Sequence, residues 1–537
     1  MNIPMSLALI VATSIIFYYR VLKYGYVIDD IPVKAQKRAL DEVRFRNRGF
    51  NPKDNHFPLI TGKLIECGYI DKNFIVTKKE PVLTDDFKKS LPNYNEDVFN
   101  IIANMLLEAS GEKWTLQNRL NQLTGSGHYQ PALEHGYNIA LHTLVCCFIY
   151  FAFGHNTLSL LAALLFCLNP SNNQGSIWLS GKPYVYSTAL LLLGVIFKEI
   201  FPLTYVLAVD TFSINGYLAP FLFIFLSPHY WIFSLLFIAP IAYKRLNPIL
   251  GPRAKQTKTE ANQIYLKRLV IVFKTYAYYF LMGLLPIRLG MFHSFLSKYI
   301  LSKKDNDYYE KMTPLFYAGV AIATCVVSLV IFSPHSQITF GLFWFTIFIA
   351  QWCNLLFVNH GIAERYLYLA NVGLMWALIN VLALLPFSCI LITAFLVYYA
   401  TRLINFMPCF KNNGDYFHSN IENFPGAALA FNEFGLYNLF KKRIGTAYDY
   451  MMDGLKVRPE DFKLNFNVAG IHMEFSNYND TLRHLEIAER DLLKNSYNQI
   501  WFDTIAQMRK TCLDILKSRE PKQEVPIVDV QGHPDGS

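Results

Sequence analysis

Two adjacent carboxylates, Asp29 and Asp30, follow Gly25-Tyr26-Val27-Ile28 just beyond the first apolar segment of the chain. Beside a membrane face two such charges repel each other and lose hydration. Without a partner cation one pKa is driven up, which suits the pair to moving a proton. A solvated pair opening a polar loop accounts for the same residues equally well. Three further stretches carry chemistry. In Glu134-His135-Gly136-Tyr137-Asn138, continued by His142, offsets of three and seven put His135, Asn138 and His142 on one helix face. That spacing is not a zinc pattern, and a stripe for hydrogen bonds between helices fits it as well as a ligand role. The stretch 169–182 holds Asn169, Asn172, Asn173, Gln174, Trp178 and Lys182; it is either a site offering amides, an indole and a cation or a polar hairpin with an interfacial Trp. In Ala363-Glu364-Arg365-Tyr366-Leu367-Tyr368-Leu369 the arginine stands at the mouth of an apolar segment, where its planar fork could grip a phosphate through two parallel bonds. A structural Glu364–Arg365 pair is the alternative. A smaller motif, Pro286 to His293, contains Arg288 and opens a Lys- and Tyr-rich loop over 288–313 that could cover a substrate.

The elements that must position these residues are membrane helices. A 537-residue chain with 53% hydrophobic, 15% aromatic and only 17% charged residues is too apolar for an ordinary soluble protein. Its net charge of +9 is spread over loops, which fits contact with anionic lipid and excludes a nucleic-acid role. Nine cysteines, among them Cys146, Cys147, Cys167, Cys325, Cys353 and Cys389 in apolar runs, show no C-x-x-C or other metal-ligand spacing; they are expected to be core residues, with no disulfide framework.

Residues 1–22 are expected to be an uncleaved first span, because no cationic region precedes the apolar run and no small-residue cleavage site follows it. Residues 23–134 form a long polar segment whose apolar residues over 98–107 recur at helical spacing, suiting a helix on the membrane surface or one in a small soluble subdomain. A multi-span domain over 135–405 follows, with apolar segments at 136–153, 157–169, 183–198, 269–287, 314–333, 338–358, 366–385 and 387–405. The crowded stretch 200–244, broken by Pro202, Asp210, Gly216, Pro220 and Pro228, holds two spans if the basic loop 244–268 is cytoplasmic, giving about eleven in all. The Asp29-Asp30 loop and the C-terminal region then share the outer side.

From 406 to 517 the pattern becomes mixed-polar and repeats. Residues 428–461 align with 462–495, setting Gly435 over Ala469, Ala447 over Thr481, Met451 over Leu485 and Gly454 over Ala488. A period of 34 with small residues at close helix contacts is the tetratricopeptide pattern, and 496–517 is expected to cap it. Residues 518–537 are expected to be disordered. The fold class is therefore all-α, a polytopic membrane bundle followed by a tetratricopeptide-like helical domain.

The order of Tyr26-Val27-Ile28-Asp29-Asp30, His135-x-x-Asn138-x-x-x-His142, Asn169-Pro170 with Trp178-Leu179-Ser180-Gly181-Lys182, and Ala363-Glu364-Arg365-Tyr366-Leu367-Tyr368-Leu369, all ahead of such repeats, resembles the transmembrane and tetratricopeptide-repeat O-mannosyltransferases of the GT-C superfamily. The second loop departs from the usual family pattern, with Asn169, Gln174, Gly181-Lys182 and Tyr184 at the matching places. The resemblance implies a polyprenyl-phosphate sugar donor, typically dolichyl-phosphate mannose, and a Ser or Thr hydroxyl of a polypeptide as acceptor. It implies that Asp29 or Asp30, with Asp30 the first choice, takes the hydroxyl proton in a single inverting displacement. Arg365, with Lys182 and Arg288, would neutralise the departing lipid phosphate, so no divalent metal or other cofactor is required. His135, Asn138, His142, Trp178, Glu364, Tyr366 and His293 would line the substrate site. The repeats would present the acceptor from the luminal or periplasmic side, in the endoplasmic reticulum of a eukaryote or the plasma membrane of a bacterium. A non-catalytic scaffold of the same fold, an enzyme acting on glycans and a transporter are the rivals.

Overall fold

The computed structural model describes residues 2–25, 27, 131–208, 218–222, 265–293, 312–353, 362–495 and 499–519, and these form helices with no strand. Asp29, Asp30, the amphipathic stretch 98–107, most of 209–264, the loop 294–311 and the tail beyond Arg519 lie outside the described residues. The first helix, α1 (Ile3–Tyr18), starts at Asn2, whose Oδ1 accepts the Met5 N–H at 3.1 Å, with Pro4 in the first turn, where no donor is lost. Its serines turn inward and most of its isoleucines outward: Ser6, Ser14 and Tyr18 are buried with Ile10, whereas Ile3, Ile15 and Ile16 are exposed. That inversion is expected where the surroundings are as apolar as the side chains and polar groups are what must be hidden.

Next come α2 (Pro131–Ala152), α3 (Thr157–Leu168), the one-turn α4 (Asn173–Ser176), α5 (Lys182–Ile196), α6 (Phe201–Val206), α7 (Tyr265–Leu284), α8 (Pro314–Phe332), α9 (Gln337–Ala350), α10 (Leu367–Leu384) and α11 (Ser388–Phe406). Among the described residues, five helical segments are long and apolar enough to cross a membrane: Ile3–Lys23, Leu179–Ile196, Pro314–Phe332, Glu364–Leu384 and Ser388–Lys411. Thr157–Leu168, Leu269–Leu284 and Gln337–Ala350 are apolar but shorter. The first half of α2 carries Glu134, His135, Asn138 and His142, which dilutes its apolar character. Ile331, Phe332, Ile390 and Val397 are likewise exposed on α8 and α11, while Val326, Ile392 and Leu403 face inward.

The bundle closes where glycines remove side chains. A Cβ on Gly373 of α10 would press on Trp344 of α9, and one on Gly341 would lie 2.6 Å from the Gly373 carbonyl oxygen, so α9 and α10 cross with their backbones nearly touching. Trp344 Nε1 donates to the Leu369 carbonyl at 2.9 Å across this contact. α10, buried along most of its length, is the central helix of the core.

A 3-10 segment, Met407–Lys411, is joined through the extended Asn412 to α12 (Asn413–Asn423), whose Tyr416 and Phe417, with Phe424 just after it, belong to the same core as α10. The C-terminal helices are α13 (Ala428–Phe440), α14 (Ile444–Val457), α15 (Phe462–Glu474), α16 (Tyr478–Asn495) and α17 (Gln499–Arg519). Helices α13 and α15 begin 34 residues apart (428 and 462), as do α14 and α16 (444 and 478). The small residues sit at the crossings: Gly435 faces the Met451 side chain, Gly454 lies between Phe431 and Leu464, and Ala469 and Ala488 are fully buried. The last helix runs two residues past the expected end at 517, and Arg519 lies over the Tyr478 ring at 5.0 Å.

Candidate functional site

The stretch 169–182 is a buried hub, not a solvated hairpin. Asn169 Oδ1 accepts from the Ser171 N–H (3.0 Å) and hydroxyl (2.8 Å), while its Nδ2 donates to the Gly283 carbonyl at 2.8 Å. Asn371 Nδ2 of α10 donates to Ser171 Oγ at 2.9 Å and to Asn172 Oδ1 at 2.8 Å. Gln174 ties three elements: Nε2 donates to the Gly290 carbonyl (3.2 Å) and reaches Tyr416 Oη (3.5 Å), and Oε1 accepts the Arg365 N–H (3.4 Å). Burial, followed by the nearby Glu364 charge, pushes the Tyr416 phenol well above its usual range, so it stays a neutral hydroxyl. Only glycine fits at 175 and 181, because a Cβ would enter the Tyr368 ring at the first and the Gln174 carbonyl at the second.

Glu364 and Arg365 stand side by side at the start of α10 with different partners. Glu364 Oε1 accepts the Gly290 N–H and lies 3.5 Å from His293 Nε2, whose Nδ1 in turn meets Tyr278 Oη at 3.0 Å. Arg365 has no carboxylate within salt-bridge distance among the described residues. Its guanidinium carbon is 4.9 Å from the Tyr366 ring centre and 5.5 Å from that of Trp178, and Tyr366 stacks on Trp352 at 3.8 Å. The cation is thus held by aromatic faces, with Nη2 3.4 Å from the Tyr366 hydroxyl and Nη1 without a partner.

His135 and Asn138 connect this cation to the beginning of the chain. His135 Nε2 lies 3.3 Å from the Gly25 carbonyl oxygen, and the Gly25 N–H donates to the Lys411 carbonyl at 3.0 Å. Asn138 Nδ2 donates to the Trp178 carbonyl at 3.4 Å. Gly25 and the buried Val27 are the described residues nearest in sequence to the acidic pair. Lys182, an expected phosphate ligand, is paired with Glu134 at 3.1 Å and lies over the Tyr137 ring at 5.8 Å. Arg288 is exposed, two residues before Gly290. His142 turns into the bundle, meeting Tyr368 Oη at 2.6 Å through Nδ1.

Buried polar atoms without hydrogen-bond partners gather on these elements: Asn138 Oδ1, both Asn173 amide atoms, Trp178 Nε1, Glu364 Oε2, Arg365 Nη1 and both Asn420 amide atoms. Such groups are costly unless something satisfies them. A guanidinium with no carboxylate partner and an unsatisfied Nη1, lying against the Trp178 ring, can take an anionic oxygen ligand. Asn420 and Tyr278 carry no signal in the sequence, since distant elements bring them to Gly290 and, through His293, to Glu364 and no local pattern announces it. Cys146 and Cys167 also join His142, with one ligand atom of each within 4.8 Å of the others. No protein-family model, curated protein or solved structure matches the chain.

Proposed function

We propose that this chain is a polytopic membrane glycosyltransferase that moves a sugar, mannose being the first candidate, from a polyprenyl-phosphate donor to a Ser or Thr hydroxyl of a polypeptide. The observation that carries this reading is Arg365: a buried cation without a carboxylate partner, gripped by Trp178 and Tyr366, with a free Nη1. Burying such a charge is unfavourable unless an anion arrives, and a lipid-linked phosphate at the end of an apolar segment is an anion of the right kind. In the reaction, a carboxylate of the Asp29-Asp30 pair takes the acceptor proton as the oxygen attacks the anomeric carbon. The sugar–phosphate bond breaks with inversion, and Arg365 stabilises the leaving phosphate. The Glu134–Lys182 pair leaves Arg365 as the main phosphate ligand, and Arg288, on the exposed stretch before Gly290, is available to a headgroup.

In the same reading the membrane domain has about eleven spans. The three shorter apolar helices, α2 and two spans in 200–244 join the five longer ones. The helix pairs repeating at 34 residues are tetratricopeptide-like units on the luminal or periplasmic side that bind the acceptor, and the chain is a relative of the O-mannosyltransferases it resembles.

Transfer of labelled mannose from dolichyl-phosphate mannose into protein, in membranes carrying wild type, Asp29→Asn, Asp30→Asn or Arg365→Ala chains, tests this. Signal in the wild type that falls at least about 100-fold in Arg365→Ala and in one Asp variant supports it. Wild-type donor binding without transfer, unchanged in all three variants, would instead favour a non-catalytic scaffold.

A further inference from the structure

We propose that His142, Cys146 and Cys167 form a structural site for a divalent d10 cation of the zinc type, buried between α2 and α3 and independent of the transferase reading. His142 and Cys146 are one helical turn apart on α2, and Cys167 stands in the last turn of α3; all three are fully buried. Their ligand atoms lie within 4.8 Å of one another, close to the ~3.5–4 Å separations that bonds of ~2.0–2.3 Å impose on a tetrahedron. Ser14 of α1, with Oγ 3.3 Å from Cys167 Sγ, offers a fourth, oxygen ligand.

The surroundings favour a metal over an ordinary thiol pair. Ligating histidines commonly donate their second ring N–H to a fixed partner, and Tyr368 Oη stands 2.6 Å from His142 Nδ1. In the metal-bound form that proton sits on Nδ1, and the Nε2 lone pair, 3.4 Å from the Cys167 carbonyl oxygen, would be taken up by the cation. Tyr18 Oη holds the same carbonyl at 2.9 Å, and Phe166 stacks on the imidazole at 5.7 Å, so the ring is fixed from both sides. Charge selects the ion. Two thiolates and a neutral imidazole around a dication sum to zero, whereas a monovalent soft ion would leave a net negative charge in an apolar interior. Binding releases both thiol protons and converts none of the ligands to a higher oxidation state. The ion would staple α1, α2 and α3 together and, through Tyr368, the start of α10, so the helix bearing His135 and the one that follows Arg365 share one anchor.

The test is metal analysis of the full chain purified in detergent under reducing conditions from zinc-replete cells, and of chain produced with cobalt. The expected result is about one zinc per chain and, with cobalt, intense thiolate charge-transfer absorption in the near ultraviolet. Cys146→Ser/Cys167→Ser should lose both, while Cys325→Ser/Cys389→Ser, at the two exposed cysteines, should keep both. Tyr368→Phe should weaken binding by about 10–100-fold. A monodisperse wild-type chain with less than a tenth of an equivalent of metal would overturn the site, as would cobalt bound without thiolate absorption or metal retained in the double variant. Should the double variant not fold, the wild-type cobalt spectrum and the Tyr368→Phe titration decide.

Discussion

The Arg365 guanidinium stands 5.5 Å from the centre of the Trp178 ring while the Asn138 amide holds the Trp178 carbonyl at 3.4 Å, so one residue of α2 fixes the aromatic wall of a cation on α10. Lysine cannot reproduce a planar ion held flat against two rings. Arg365→Lys is expected to lower sugar transfer by about 100-fold, near the effect of removing one anion-stabilising donor. Initial rates against donor concentration would check this. Trp178→Phe, which keeps a ring but loses the indole N–H, should show a smaller loss.

The buried Glu134–Lys182 pair gives a stability prediction. Glu134→Gln strands a lysine ammonium in a site where it is almost fully enclosed, and is expected to cost about 3–5 kcal/mol. Adding Lys182→Met should recover most of that loss, because the unpaired charge goes with it. Thermal unfolding of the three chains in one detergent compares them directly; equal loss in the single and double variants would show that Lys182 is not stranded.

Backbone contact between α9 and α10 allows no side chain at its centre. Gly373→Val is expected to destabilise the bundle by about 1–3 kcal/mol or more, since the new atoms meet Trp344 and the α9 backbone rather than a flexible side chain. Gly470, with open space at its Cβ position, is the matched control: Gly470→Ala should leave the melting temperature unchanged or raise it slightly.

Acid should loosen the second helix pair of the C-terminal domain. Burial, aided by the neighbouring His472 and Arg483, pushes His484 down to about 4 from its ordinary 6.5, and its Nδ1 pairs with Asn465 Oδ1 at 2.8 Å. The unfolded chain therefore takes up a proton at a pH where the folded chain does not. Stability is complete above about 6.5 and declines as pH falls toward about 4. Hydrogen exchange of α15 and α16 at pH 7 and pH 5 would read this as faster opening at pH 5, with the difference much reduced in His484→Gln.

Local patterns made the helices and the 34-residue repeat legible, because both depend on residues within a turn or a hairpin of each other. The small residues aligned from the sequence, Gly435, Ala447, Gly454, Ala469 and Ala488, stand at real crossings. Arg365 stood out by its type and its place at the mouth of an apolar run. The contacts that give the site its geometry did not, since Gln174 and Gly290 meet Tyr416 and Asn420 of α12 from three separate segments. Cys167 escaped for the same reason: 21 residues and a helix turn separate it from Cys146, so no spacing rule could join them. Lys182 was readable as a cation, but not as one already balanced by Glu134 48 residues earlier.

The bond from the Gly25 N–H to the Lys411 carbonyl orders events in the making of the protein. Gly25 leaves the ribosome among the first residues, yet the carbonyl that accepts its N–H arrives only after the last apolar helix has been made. A chain cut short anywhere before residue 411 would lack that acceptor, so the anchoring of the turn at Gly25 waits on synthesis of the last apolar helix and the residues after it.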